Sequence, residues 1–203
     1  MNSIITISRQ YGSGGRFIAK KLAEKLGIPY YDNELITLAA KESGYSEAIF
    51  EKAEQISTHS FLYSLSMFGS AEGLYGLPLA DKVYLAQSEV IKKCASEGPC
   101  VIVGRCSDYV LKEYPNVINF FIYSDEESKV NRATTYYSIK PEKAAQELKN
   151  KDKKRGSYYN YYTGQRWGDT ENYHLSINSD ACGIDTAVEI LATFVKAHDE
   201  LKK

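Results

Sequence analysis

The sequence predicts an α/β fold: a three-layer α/β/α arrangement on a five-stranded parallel sheet. Three observations predict it. Short apolar runs rich in β-branched residues alternate with helical patterns five times along 203 residues. Val117–Tyr123 is nearly continuously apolar, as a strand covered on both faces should be. The first apolar run passes through a glycine-rich turn directly into an amphipathic helix.

Ile4, Ile5 and Ile7, broken only by Thr6, read as a buried first strand. Gly12, Gly14 and Gly15 then flank Ser13, allowing positive φ and close approach of a ligand to the main chain. Ile18, Leu22 and Leu26 form one helical stripe, and Gly27 with Pro29 stops the helix. A helix opening at such a turn aims unpaired N–H groups and the positive end of its dipole into the turn, a geometry that binds phosphate. Against the P-loop pattern Gly-x-x-x-x-Gly-Lys-Ser/Thr, with Gly14 as second glycine, Arg9 falls at the first glycine, Gly15 at the lysine and Arg16 at the hydroxyl residue. A main-chain cradle from Gly12 to Arg16 does not need the missing side chains. The missing charge is expected from Arg9 or Arg16, which can grip phosphate but cannot act as a metal-ligand hydroxyl.

Ile28–Asp32 reads as a short second strand, and Leu35, Ile36, Leu38, Ala39 and Ala40 as the apolar side of a helix ending at Gly44. Asp32 is either a helix N-cap or a contact to an acceptor or a metal-bound water. Ser46–Ser60 reads as helical. Phe61–Leu79 mixes glycines with large apolar residues and is expected to cover an acceptor pocket or to be buried against a second copy of the chain. Ala80–Ser96 is a long helix, and Cys100–Arg105 a central strand whose carboxyl end is where ligands bind in open α/β sheets. Arg105 is thereby a candidate phosphate contact. Ser124-Asp125-Glu126 is expected to cap a helix that follows Val117–Tyr123 and runs to about Ser138, carrying Arg132. Lys140–Arg155 has seven bases against three acids, a local net charge of +4. The tyrosines of Tyr158–Tyr162 are expected to pack a helix more readily than to stack on a base. Leu175–Asn178 is the last strand, and Gly183–Ala197 the closing helix, with Ala187, Ile190, Leu191 and Phe194 inward.

A 43% hydrophobic content fills a core, and a net charge of −1 argues against a general nucleic-acid or anionic-membrane binder. No apolar run approaches membrane-spanning length, and the first strand begins almost at once, so no signal peptide and a cytoplasmic location are expected. Cys94, Cys100, Cys106 and Cys182 show no Cys-x-x-Cys spacing and read as reduced thiols. Neither these nor His59, His174 and His198 have metal-ligand spacing, so no protein metal cage is expected.

Ile5–Arg16, Pro29-Tyr30-Tyr31-Asp32, Val103-Gly104-Arg105 and Tyr173–Asn178 together resemble the cytidylate kinase-like family, a branch of the nucleoside monophosphate kinases with an altered P-loop. The resemblance implies one domain over residues 1–203 with strand order 2-3-1-4-5, a helical acceptor-side subdomain at 33–80 and a lid at 140–170. It implies phosphoryl transfer from ATP to a CMP-like nucleoside monophosphate, with Mg²⁺ held by phosphates and water. On that reading Arg16, Arg105, Arg132 and Arg155 act on the transferred group. Arg9 and Gly12–Arg16 hold the donor, Asp32, Arg105 and Asp108 meet the acceptor, and Asn178, Ser179 and Asp180 lie near adenine. The chain departs from true cytidylate kinases, which carry Thr-Gly-x-x-Tyr-Arg where Asn33–Leu38 stands and Gly-Arg-Asp where Gly104-Arg105-Cys106 stands. Two other readings follow from these departures: a P-loop protein that binds nucleotide or another anion without transfer, and a kinase for a different small molecule. Single-strand nucleic-acid binding through the tyrosines and the basic segment is a weaker third.

Overall fold

A computed structural model describes residues 2–32, Leu35, Leu38, Glu42 and residues 78–201. The helix expected at Ser46–Ser60, residues 61–77 of the irregular stretch and most of the 33–80 subdomain lie outside the described residues.

Five parallel strands, β1 (Ile4–Arg9), β2 (Tyr30–Tyr31), β3 (Val101–Val103), β4 (Val117–Tyr123) and β5 (Leu175–Asn178), form one sheet in the order β2-β3-β1-β4-β5. This is the order the resemblance implied. β1 is central, pairing Ile5 with Val101 and with Ile118. Period-two alternation splits the apolar residues between two cores. Ile5, Ile7, Val101, Val103, Ile118, Phe120 and Ile122 face α1 (Gly15–Leu26) and the C-terminal helix. Ile4, Ile102 and Val117 face α2 (Leu79–Ser96). Thr6 is buried on that second face, where its hydroxyl donates to Asn119 Oδ1 at 2.7 Å.

The remaining helices are α3 (Ser107–Val110), α4 (Glu126–Tyr136), α5 (Pro141–Thr163), α6 (Ser179–Cys182) and α7 (Ile184–Leu201). The charge-rich segment and the tyrosines thus form one 23-residue helix, with Pro141 in its first turn, where the missing N–H costs nothing. Two expectations need correction. Ile190 is 40% exposed, because the inward stripe of α7 is Ala187, Val188, Leu191, Ala192 and Val195, and Ile190 falls just off it. Asp125 sits at the N-cap of α4 without capping it, since its carboxylate accepts from Asn178 Nδ2 at 3.1 Å instead. Among the described residues no helix is long and apolar enough to cross a membrane.

Candidate phosphate-binding site

The site lies where β1 ends and α1 begins. Gly12 (φ 79°) and Gly14 (φ 76°) turn the chain through left-handed conformations, and Gly14 is the N-cap of α1. The first-turn N–H groups of α1 have no intrahelical acceptor and face the turn. Ser13 stiffens it: its hydroxyl donates to Gln10 O at 2.8 Å and accepts from Gly15 N–H at 3.3 Å. Ser179 at the start of α6 donates to Ser13 O at 2.5 Å, tying the turn to the end of β5.

Two helices clamp the turn from above. From α4, Arg132 Nη1 donates to Gly12 O at 3.2 Å and to Ser124 Oγ at 3.1 Å, and Lys129 Nζ donates to Gln10 Oε1 at 3.1 Å. From α5, Arg155 Nη1 donates to Arg9 O at 3.1 Å, and Asp152 Oδ1 accepts from Tyr11 N–H at 2.6 Å. Lys151 and Arg155 lie over the Tyr11 ring at 5.0 and 5.2 Å from its centroid. The basic part of α5 is therefore docked on the glycine-rich turn itself.

Two of the expected arginines, Arg9 and Arg16, share one buried carboxylate, and Arg155 and Arg105 lie near enough to Arg9 to repel it. Asp32 receives Arg16 Nε at 2.7 Å, Arg9 Nη2 at 3.5 Å and the Tyr30 hydroxyl at 3.2 Å. Its main-chain oxygen accepts from Leu35 N–H, while its carboxylate serves the arginines. Burial, then repulsion from Arg155 and Arg105, pushes Arg9 down to about 9, against the attraction of Asp32. Arg155 is likewise lowered, chiefly by burial and also by Arg105. Cations that repel one another in a low-dielectric site favour an anion between them.

Asp108 is not part of this group. It is buried on α3 and accepts from the Tyr159 hydroxyl of α5 at 2.7 Å, and burial raises its carboxyl. Asn178 caps α6 by accepting from Asp180 N–H at 3.0 Å, and Asp180 accepts from the Ser128 hydroxyl. The expected base-side residues thus stitch β5 to α4.

Residues 4–181 match the profile of the cytidylate kinase-like family. The chain belongs to this family. An uncharacterized protein from Eubacterium ventriosum is 28% identical to it over 96% of this chain and 98% of that one, with a TM-score of 0.71. A shikimate kinase from Bacteroides thetaiotaomicron is 12% identical, covering 97% and 99% at TM-score 0.58. A gluconokinase from Sinorhizobium meliloti is 14% identical, covering 100% and 98% at TM-score 0.51. The last two show a shared P-loop kinase fold. No protein of curated function matches the sequence.

In this cytidylate kinase-like chain the sequence pattern missed Asp152, Gln10 and Tyr159. Asp152 was one of three acids among seven bases, and only the docking of α5 sets it on Tyr11. A buried carboxylate in the helix that crosses a glycine-rich turn is the signal that could have found it.

The residues fit a polyphosphate: a helix N-terminus whose first-turn N–H groups lack intrahelical acceptors, arginines on several sides and glycines where side chains would intrude. They do not form a metal cage. Among the described residues no three metal-ligating side chains cluster, and Asp32 and Asp152 are committed to arginines and to a main-chain N–H.

Proposed function

We propose that this protein is a nucleotide kinase that moves the γ-phosphoryl group of ATP to a nucleoside monophosphate of CMP-like size. The observation that carries this is the placing of Arg9, Arg16 and Arg155 against the glycine-rich turn that opens α1, where Arg155 donates to Arg9 O and burial lowers both Arg9 and Arg155. Transfer joins an acceptor oxygen to the γ-phosphorus and breaks the bond to the β–γ bridging oxygen. Such a reaction needs placement and charge neutralisation more than covalent help from the protein. The Gly12–Arg16 main chain would hold the donor phosphates. Arg9, Arg105 and Arg155 would surround the transferred group, and Asp32 would orient Arg9 and Arg16. Arg132 would act indirectly, by fixing the Gly12 carbonyl. Bound Mg²⁺ would neutralise donor phosphate charge with phosphate and water as its ligands.

The test is turnover of labelled ATP against a panel of nucleoside monophosphates and small phosphate or hydroxyl acceptors. Transfer to a pyrimidine monophosphate is the expected result, and no transfer to any monophosphate rejects the reading. One observation favours a second reading, a nucleotide- or anion-binding protein without transfer: Arg16, at the position of the metal-ligand hydroxyl, is fixed on Asp32 at 2.7 Å. Calorimetric affinity for ATP with no turnover of any acceptor would support it. Transfer only to a non-nucleotide acceptor would instead favour the kinase for a different small molecule.

A further inference from the structure

Arg9 and Gly15 face each other across the turn. A Cβ built on Gly15 would stand 2.6 Å from Arg9 Cβ and 3.0 Å from Arg9 Cγ. Ile122 Cβ, at 3.1 Å, is the third neighbour, so a side chain at position 15 needs the Arg9 stem gone and a small shift at Ile122. At its far end, Nη1 of Arg9 lies where a Cβ on Gly104 would collide with it. The side chain thus runs from the start of α1 to the carboxyl end of β3, under the turn, and its other nitrogen reaches Asp32. The Arg9 side chain as a whole keeps 18% exposure, so it is not sealed from solvent.

Position 15 is where a P-loop carries its lysine, and position 9 is where it carries its first glycine. We infer that the two positions have exchanged roles: Arg9 threads its charge through the space that a lysine stem at position 15 would fill, and binds the donor phosphate in its place. This rests on the kinase reading only for the name of the ligand; the exchange itself requires no more than an inorganic polyphosphate in the turn. Arg16, the other candidate for the missing charge, is half exposed at 53% and held by Asp32 on the outer side of α1. The exchange also accounts for the glycines. Gly15 and Gly104 are small at the two ends of one arginine, so the three residues form a single unit spread over 95 positions of sequence.

The test is a cycle of Arg9→Gly, Gly15→Lys and the double variant, read by calorimetric binding of inorganic tripolyphosphate and of ATP, with thermal melting as the control for folding. Arg9→Gly should weaken tripolyphosphate binding about 30-fold, the loss of a charge-assisted contact. Gly15→Lys should melt lower and bind weakly, because its Cβ meets Arg9. The double variant should recover affinity to within about threefold of the parent, since with the Arg9 stem gone only Ile122 Cβ, at 3.1 Å, has to give way to the lysine. Parental affinity in Arg9→Gly, or a double variant that folds and binds no better than the worse single, overturns the exchange. If the double variant does not fold, Arg9→Gln decides: it keeps the stem and removes the charge. A loss of about 30-fold in it upholds the exchange and an unchanged affinity overturns it. Since the readout is binding of an inorganic anion, an intact exchange with no kinase turnover would refute the enzyme reading alone.

Discussion

The carboxyl ends of β1 and β3 both leave the sheet through left-handed conformations, and they do so differently. After β1 the positive φ values fall on Gly12 and Gly14, for which they cost little. After β3 they run Gly104 (77°), Arg105 (58°) and Cys106 (56°), so two residues with side chains are held where L-residues rarely sit. Each such residue costs about 1–2 kcal/mol, and such cost concentrates at functional sites. The first end is a main-chain cup shaped by glycines and Ser13, with Arg132 and Ser179 bearing on its carbonyls from outside. The second is a side-chain arrangement held by distant parts: Arg9 against Gly104, and Tyr159 on Asp108. The lesson is that one half of the site is written in consecutive residues and the other in contacts across the fold.

The largest expected effect breaks the first end. Gly14→Ala would combine a positive φ with a Cβ 2.5 Å from Ile184 Cδ1, and should destabilise the protein by about 3 kcal/mol in chemical denaturation. Gly104→Ala tests the second end. Its Cβ meets the movable tip of Arg9 rather than an isoleucine packed against the core, so the loss should be smaller, about 2 kcal/mol, and polyphosphate affinity should fall as Arg9 is displaced. Equal losses at the two glycines would remove the distinction between a main-chain end and a side-chain end.

The buried carboxyl of the second end gives a pH signature. Burial raises Asp108 in the folded state, so the folded protein holds that proton more tightly than the unfolded chain. The associated stability is fully present below the unfolded value, 3.8, and is lost as pH rises through the raised folded one. Asp108→Asn should flatten that fall in a denaturation series over pH. A slope identical to the parent's would mean that Asp108 does not set it.

Arg9 gives the first end its own signature, with the opposite proton flow. Its folded value near 9 lies below its ordinary 12.5, and an anion beside it would raise it again. Polyphosphate binding should therefore weaken as pH climbs above about 9, and Arg9→Gln should lose that dependence. The smallest effect concerns α5. Asp152→Asn keeps an oxygen for Tyr11 N–H but removes a negative charge beside Arg155, and should tighten tripolyphosphate binding about threefold at low salt. Weaker binding would instead make the Asp152 charge part of the anion site.

Much of this was legible in the chain. The isoleucines of β1, the glycines of the turn and the Ile18–Leu22 stripe each act within a few residues, and periodicity reads them directly. The near-unbroken apolar run at β4 marked an interior strand for the same reason. Ile190 was misread because one apolar residue beside a stripe looks like part of it until the packing partner is fixed.

The sequence by itself determined the order of strands and helices along the chain and a glycine-rich turn opening α1, because those depend on hydrogen bonds and apolar burial between near neighbours. Only the tertiary structure decided that Arg9 fills the space beside Gly15, that Asp32 is shared by two guanidiniums, and that α5 bears on Tyr11 through Asp152. Except for Arg9 with Gly15, those pairings join residues well separated in the chain. Their geometry follows from how the helices pack on the sheet, and no local pattern of residues encodes it.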